Sequence, residues 1–329
     1  MTSNSPAPKE TLLESSTNFK LVRAVDQNFR WLTLGLAISV GLILMWIAYS
    51  LFVIALPAIQ KFGLGFLTDS TWDPNKNVDP VTGIGGVYGA LPHIYGTVLS
   101  SIIALLFAVP LGVGVAIFLT ENFLKPQILQ PIAFTIELLA AVPSVVYGLW
   151  GLFVFLPALK PLFQALHNYF GWIPFFSTEP SGRQLFGASI VLAIMILPTI
   201  IAISRDTLNS LPPKLRQGAY GLGATRWETI TRVLLPAALS GIIGSIMLAL
   251  GRALGETMAL TMLVGNANQV NISWLSPAST LSSLIANQFA EASGLQKSSL
   301  FYEALILMVL TLLVNMLAQA LVSRFQQVE

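Results

Sequence analysis

The chain has 329 residues, of which 54% are hydrophobic and only 10% are charged, with a formal net charge of +2. Soluble domains carry roughly 25% charged residues, so this composition excludes an ordinary soluble protein, and the small net charge gives no reason to expect a nucleic-acid partner. The absence of cysteine excludes disulfide bonds, thiol catalysis and cysteine-ligated metal sites.

The N-terminal segment, residues 1–30, is polar and mixes basic with acidic side chains. It has neither the short apolar core nor the small-residue cleavage site of a signal peptide. The apolar segment that follows, residues 31–59, is too long for a signal core and is predicted to be a retained membrane span. We expect residues 1–30 to lie in the cytoplasm.

Five more apolar segments follow the first one, each at least 18 residues long, at residues 93–119, 129–156, 187–204, 237–264 and 301–325. A helix needs roughly 20 residues to cross a hydrocarbon core about 30 Å thick. The sequence therefore predicts an all-α polytopic membrane protein with six transmembrane helices. The transmembrane domain would occupy residues 31–325, with a cytoplasmic tail at 326–329.

The basic residues predict the orientation of the spans. With the N-terminus in the cytoplasm, eleven of the 17 lysines and arginines lie on the inner side and five on the outer side. Inner loops of membrane proteins carry an excess of lysine and arginine. We therefore expect both termini to be cytoplasmic, and the remaining basic residue, Arg252, lies inside a span.

Three spans contain a proline in their interior, namely Pro110, Pro143 and Pro198. Neighbouring groups or cavity water can satisfy the carbonyls that a proline leaves free, so each is compatible with a spanning helix. Each proline either kinks a helix for packing or opens room along a path. Pro143, close to the intramembrane Glu137, is the strongest candidate for the second role.

The sequence gives no sign of a metal centre, a cofactor site or a nucleotide site. Its two histidines, His93 and His167, fall near predicted helix ends or in loops, where we expect ordinary surface or interfacial roles. Neither a zinc-hydrolase motif nor a phosphate-binding loop occurs. The chain is therefore not expected to be an enzyme, and any ATP hydrolysis linked to it must come from a partner.

The longest inner connection, residues 205–236, lies between the fourth and fifth spans. It is predicted to form a short helix, then a sharp turn at Gly221 and Gly223, since glycine adopts positive φ at little cost. A second short helix would begin at Thr225 and end before Pro236, because proline lacks the N–H that a helix interior requires.

This connection resembles the coupling loop of ABC-importer permease subunits. The family signature is Glu-Ala-Ala, three residues, Gly, nine residues, Ile-x-Leu-Pro; here Gln217-Gly218-Ala219 fills the triplet, Gly223 the fixed glycine and Pro236 the last position. The spacing is intact, while glutamine, glycine and valine replace glutamate, alanine and isoleucine. The resemblance implies that the loop docks in a groove of a cytoplasmic ATPase, without a carboxylate at position 217.

A cation and an anion, Arg252 and Glu256, lie inside the apolar segment 237–264. Ionisable groups at that depth cost several kcal/mol unless they face a protein interior or a wet cavity. Four residues apart on one helix, the two side chains would share a face. They either line a path for a charged solute or form a closed pair that fixes helix packing, with small residues nearby to admit another helix: Gly241, Gly244, Gly251 and Gly255.

Three strings carry a more specific resemblance: YGALPHIYGT at 88–97, IELLAAVPSVVYG at 136–148 and GRALGETMA at 251–259. They are similar to the corresponding stretches of the PstC-type phosphate permease family, and the likeness runs from about residue 31 to the C-terminus. The resemblance implies a type I ABC-importer permease fold in the cytoplasmic (inner) membrane. It also implies a homologous PstA-type permease subunit, two copies of an ATPase subunit and an extracytoplasmic phosphate-binding protein as partners.

The physical chemistry of phosphate suits the buried charges. Born solvation of an isolated ion costs tens of kcal/mol in a medium of low dielectric constant. A guanidinium stays ionised and presents a planar fork of donors that matches phosphate oxygens. We therefore expect Arg252 to carry the anion, Glu256 to compete with the anion for the same donors, and Glu137 to add a further intramembrane charge.

Other functions remain open at the level of sequence. One arginine does not distinguish tetrahedral anions, so a permease for sulfate, molybdate or a phosphonate is the main alternative. A phosphate-sensing regulatory subunit is another. A secondary transporter would need no ATPase and so no coupling loop, and an intramembrane enzyme would need a histidine base or a paired-aspartate metal site within the spans, which this sequence lacks.

Overall fold

The structure of the protein is a computed structural model that describes residues 10–77, 85–121 and 123–326. Residues 1–9, 78–84, 122 and 327–329 lie outside these described residues, and they include most of the predicted tail at 326–329. The chain divides into two compact units, Met1–Val53 and Ile54–Glu329. The described part of the first unit is helical throughout.

The described part of the second unit is also built almost entirely from helices. It contains one two-stranded antiparallel hairpin, formed by β1 (Trp72–Asp73) and β2 (Val87–Tyr88). The helices are α1 (Glu10–Phe62), α2 (Leu91–Thr120), α3 (Pro126–Ala140), α4 (Ser144–Trp150), α5 (Leu156–Phe170), α6 (Leu185–Ser210), α7 (Pro213–Gly221), α8 (Arg226–Thr229), α9 (Leu235–Gly255), α10 (Met258–Leu263), α11 (Leu281–Gln288) and α12 (Gly294–Gln326).

Six helical stretches in the described part of the chain are long and apolar enough to cross a membrane, which confirms the predicted all-α class with six spans. They are Asp26–Leu67, Leu91–Thr120, Ser144–Phe170, Leu185–Ser210, Arg226–Gly255 and Gly294–Ala320. The protein is therefore a multi-pass membrane protein.

The third and fifth spans differ from their predicted limits. Pro143 adopts an extended conformation, with φ −60° and ψ 143°, and separates the short helix α3 from a span that begins at Ser144. The predicted span at 129–156 is thus wrong, because the proline ends one helix and starts another. The fifth span ends at Gly255 rather than at residue 264.

Two spans contain a wider π-helical turn, Gly151–Phe155 and Ile230–Leu234, and each is followed directly by a Leu-Pro pair. In the second turn the Leu235 N–H donates to the Ile230 carbonyl, one residue further back than in an α-helix. The wider turn gives room for the ring of Pro236, so α8 continues into α9. The expectation that the second short helix ends before Pro236 is therefore wrong.

The centre of the second unit is the packing of α6 against α2 and α9. The helices α6 and α9 run antiparallel, since Ser204 Oγ lies 3.0 Å from Ser245 Oγ and, further towards the C-terminus of α6, Thr207 contacts Gly241. Further towards the N-terminus of α6, a Cβ at Gly112 of α2 would lie 2.7 Å from Ile200 Cγ2. Small residues therefore let α6 lie close to both neighbours.

The second unit has two ends, the hairpin end and the α7 end. The hairpin end contains β1, β2 and the start of α2, where Trp72 and Tyr88 are buried together. The α7 end contains the termini of α2 and α6 together with α7 and α8, and its buried apolar cluster includes Ala116, Leu208 and Leu234.

A close approach at the hairpin end predicts an asymmetry between two glycines of α2. A Cβ at Gly96 would overlap the backbone carbonyl of Ser279, whereas nothing lies within 4 Å of a Cβ at Gly114. We expect Gly96→Ala to destabilise the protein by about 1–3 kcal/mol through overpacking. The control Gly114→Ala should be neutral or stabilising by about 0.5–1 kcal/mol, because alanine favours a helix interior. Thermal unfolding of the purified variants in detergent compares them, and equal unfolding temperatures would contradict the close contact.

Candidate functional site

Arg252 lies at mid-depth in the packed helices, on α9 opposite Thr199 of α6. Thr199 lies about 21 Å along α6, a helix of 26 residues that is about 39 Å long. The Arg252 Nη1 donates to Thr199 Oγ1 at 3.5 Å. The hydrogen-bond partner of the guanidinium among the described residues is therefore a hydroxyl group rather than a carboxylate.

The donors of Arg252 are largely unused. A guanidinium has five N–H donors, and in the described part of the chain only the weak contact with Thr199 engages one of them. The four ion pairs among the described residues do not include Arg252. A half-buried cation with free donors is suited to bind an anion.

Glu256 does not share a helical face with Arg252, which corrects the expectation from their spacing. The helix α9 ends at Gly255, and Glu256 is extended, with φ −66° and ψ 125°. Its Oε1 accepts from the Ala259 N–H at 3.3 Å, and its carbonyl accepts from the Ser282 hydroxyl at 2.7 Å. Glu256 is buried and links α9, α10 and α11, so the closed Arg252–Glu256 pair is absent from this conformation.

Glu137 also lies elsewhere than predicted. It belongs to the short helix α3 rather than to a span, and its side chain is 52% exposed. Arg205, near the end of α6, donates to it at 3.0 Å. Glu137 therefore lies before the third span rather than within it, and its partner Arg205 is about 9 Å further along α6 than Thr199, the residue opposite Arg252.

The predicted loop at 205–236 has the expected helix, turn and second helix. Gly223 has φ +84°, and the Gly223 N–H donates to the Tyr220 carbonyl while the Ala224 N–H donates to the Ala219 carbonyl. These two bonds form a Schellman motif, which ends α7 and needs a left-handed residue. Gly221 remains helical, so only one of the two predicted turn glycines supplies the turn.

The second helix of this segment begins with a capping box. The Thr225 hydroxyl accepts from the Glu228 N–H, and the Glu228 carboxylate accepts from the Thr225 N–H at 2.9 Å. The sequence Thr-Arg-Trp-Glu is the expected pattern for such a start. The segment therefore holds a defined shape at the α7 end.

The tip of this segment presents large apolar side chains. Leu222 is 92% exposed and Trp227 is 68% exposed, and the signature residues Gln217 and Gly218 beside them are also exposed. Ala219, the third signature residue, is buried in the packing of the segment. Apolar side chains grouped on an exposed tip are typical of a surface that binds another protein.

Sequence analysis missed a buried ionisable pair at the hairpin end. His93 Nδ1 lies 2.7 Å from Glu303 Oε1, and both side chains are fully buried. His93 Nε2 lies 3.1 Å from Asn268 Oδ1, and Trp72 packs edge-on against the imidazole. The expectation of an ordinary surface role for His93 is therefore wrong.

One signal in the sequence points to this pair. Glu303 is a lone acidic residue near the start of the last apolar segment, where a carboxylate is costly without a partner. Its partner is 210 residues earlier in the chain, so only the packing of α2 against α12 identifies it. The pair joins the start of α2, the last span and the loop that carries Asn268.

Comparison with known sequences places the chain among membrane transport components. Residues 84–327 match the family described as binding-protein-dependent transport system inner membrane component. The chain is 44% identical over 311 residues to the Haemophilus influenzae phosphate transport system permease protein PstC, covering 92% of this chain and 95% of that protein. It is 43% identical over 325 residues to the protein of the same name from Mesorhizobium japonicum, covering 97% and 95%.

Comparison with solved structures supports the same fold. The MetNI methionine ABC transporter in an inward-facing conformation matches with a TM-score of 0.50 at 16% identity, covering 72% of this chain and 94% of that one. A bacterial ABC transporter that imports the acidic polysaccharide alginate matches with a TM-score of 0.50 at 18% identity, covering 71% and 79%. The helices thus have the arrangement of a type I ABC-importer permease.

The Schellman turn predicts different effects at its two glycines. Nothing lies within 4 Å of a Cβ at either position, so only the backbone conformation separates them. Gly223→Ala forces a side chain into the left-handed region and should cost about 1–2 kcal/mol, while Gly221→Ala should be neutral or slightly stabilising. Limited proteolysis of the segment in the purified protein measures the difference. Equal cleavage rates for the two variants would contradict the turn.

The buried pair predicts a strongly non-additive response. Glu303→Ala leaves His93 without its partner and should cost about 3–5 kcal/mol. The double variant His93→Leu, Glu303→Leu replaces the pair by apolar groups and should be much less destabilised than the single one. Glu291→Ala, which removes an exposed carboxylate, is the control. A thermal unfolding series in which the double variant equals the sum of the single variants would disprove the pair.

Proposed function

This chain belongs to the family of binding-protein-dependent transport system inner membrane components, and we propose that it forms one half of the membrane domain of an ATP-driven importer of inorganic phosphate. The single observation that carries the substrate is the identity of 44% and 43% to two phosphate transport permease proteins over nearly the whole chain. The site geometry suits an anion, because the Arg252 guanidinium at mid-depth keeps most of its donors free.

In the proposed assembly the chain binds no cofactor and hydrolyses no ATP itself. A homologous PstA-type permease subunit completes the membrane domain, and two copies of an ATPase subunit bind on the cytoplasmic side. An extracytoplasmic phosphate-binding protein delivers the anion at the hairpin end. The α7 end then faces the cytoplasm with both chain termini, in agreement with the excess of basic residues on that side.

Phosphate binds Arg252 as it passes through the membrane domain. The negative charge of phosphate makes unaided passage through the apolar core of the membrane prohibitive. The N–H donors of the Arg252 guanidinium replace part of the hydration shell of the anion. The chain breaks its helix at Gly255, where a Cβ would meet nothing within 4 Å. A rotation there brings the Glu256 carboxylate towards Arg252 and releases the anion by competing for the same donors.

Glu137 has a different part in this proposal. By pairing with Arg205 at the α7 end, it offsets a cation that would otherwise hold the anion near its exit. The exposed tip beside Gln217 and Gly218 docks against the ATPase. The turn at Gly223 and the π-helical turn before Pro236 fix the direction in which that tip points.

The identity of the anion is tested by competition. The chain is reconstituted with its partner subunits in liposomes, and ATP-dependent accumulation of labelled phosphate is followed with and without excess sulfate, molybdate or a phosphonate. We expect only unlabelled phosphate to compete. Preferential competition by another anion would assign that anion as the substrate, and a complex that accumulates none would favour a sensing role.

The role of Arg252 is tested by Arg252→Gln. We expect uptake to fall at least about tenfold, equivalent to about 1.4 kcal/mol of lost stabilisation of the passing anion, while the complex still assembles. Arg30→Gln removes an exposed guanidinium on α1 and should leave uptake unchanged. Normal phosphate uptake by Arg252→Gln would remove this residue from the path.

A further inference from the structure

A buried ion pair joins the segment formed by α7 and α8 (residues 213–229, the α7–α8 segment) to the end of α2. Arg216, on α7, donates to Glu121 Oε1 from Nε at 3.1 Å and from Nη2 at 2.9 Å. The Glu121 side chain is 5% exposed and the Arg216 side chain 23%. Glu121 is the residue at which α2 ends.

The Arg216 guanidinium also contacts the end of a second span. Its Nη2 donates to the Leu208 carbonyl in the last turn of α6, at 3.2 Å. The C-terminal end of a helix carries a partial negative charge and unpaired carbonyls. One cation therefore neutralises the carboxylate at the end of α2 and satisfies a carbonyl at the end of α6.

The second helix of the segment, α8, contacts the same turn after α2. The Arg226 guanidinium, at the start of α8, lies 3.9 Å from the centre of the Phe123 ring, two residues after Glu121. Phe123 in turn stacks on Phe118 of α2 at 5.9 Å. Both α7 and α8 thus contact the turn that follows α2.

These contacts matter because the chain itself does not connect α2 to the segment. The segment is joined covalently to α6 before it and to α9 after it, but α2 ends about 90 residues earlier. A displacement of the α7–α8 segment therefore reaches α2 only through packing and through the contacts at Glu121 and Phe123. Removing those contacts would leave the packing of α2 against α6 as its link to the α7–α8 segment.

We propose that Glu121 and Arg216 are positioning residues that make α2 move together with the α7–α8 segment. ATP hydrolysis in the partner would then change the side of the membrane from which the anion path is accessible. This inference rests on the proposed function and adds a second mechanical link to it. The pair acts through α2 and does not touch the anion. The three hydrogen bonds of Arg216 hold the ends of α2 and α6 in a defined position relative to α7, which is the geometry that a mechanical link requires.

The test measures how much phosphate is moved per ATP in the complete complex. Glu121→Gln keeps the shape of the side chain and removes its charge. In liposomes with all partner subunits, we expect assembly and ATPase activity stimulated by the binding protein to be retained. The amount of phosphate accumulated per ATP hydrolysed should fall by at least about fivefold, the lower range of a coupling between sites. Arg216→Gln should give the same loss.

A matched control is available at the same end of the molecule. Asp206 is 70% exposed and contacts Arg205 at 3.4 Å. Asp206→Asn removes a carboxylate without touching the α2 turn, so the phosphate-to-ATP ratio should stay unchanged. If Glu121→Gln keeps a normal ratio, or fails to assemble, the positioning role is wrong. A wild-type complex that accumulates no phosphate would instead refute the proposed function.

The absence of native cysteine allows a rescue experiment. The double variant Glu121→Cys, Arg216→Cys should be uncoupled, because it lacks the ion pair. A short bifunctional thiol reagent that joins the two positions should restore the ratio in a complex whose other subunits lack reactive thiols. Arrest of transport on cross-linking would overturn the proposal, because it would mean that the two residues must separate during the cycle.

Discussion

The close antiparallel contact between α6 and α9 is the constraint on which the rest of the second unit depends. It requires small groups where the helices meet, and the contacts of Ser204 with Ser245 and of Thr207 with Gly241 supply them. Because the two helices are held in this register, Arg252 lies at mid-depth opposite Thr199. The same contact brings the two chain ends of the α7–α8 segment together. This one helix–helix contact therefore determines the positions of both Arg252 and the exposed tip of the segment.

The chain uses the guanidinium group in two opposite ways. Arg216 directs three hydrogen bonds to a carboxylate and a carbonyl and is held in one geometry. Arg252 is left with one weak contact to a hydroxyl, at similar partial burial. A fully paired cation fixes the relation between helices, whereas a poorly paired one in an apolar region retains its capacity for an anion. Under the two proposals, Arg216 transmits movement and Arg252 binds the anion.

The interruptions and distortions of the helices lie close to residues to which the proposed function assigns a role. Pro143 divides α3 from the third span, and the break after Gly255 divides α9 from α10 near Arg252. The π-helical turn before Pro236 lets α8 continue into α9 without a break in the helix. In a membrane such irregular backbone is tolerated only where protein or cavity water satisfies it, and Ser282 does this for the Glu256 carbonyl.

The sequence by itself determined the number of spans, the all-α class and a helix–turn–helix segment with its turn at Gly221 and Gly223, because hydrophobic length and local glycine, proline and capping patterns act over short distances. The intact spacing of the loop signature and the resemblance to phosphate permeases also follow from local strings. Only the tertiary structure decided which charged side chains form pairs. Glu256 does not share a helical face with Arg252 because α9 ends at Gly255, and Glu137 pairs with Arg205. Spacing predicts a shared face only while the helix continues, and partners distant in the chain, such as His93 and Glu303 or Glu121 and Arg216, are selected by packing between helices rather than by their order in the sequence.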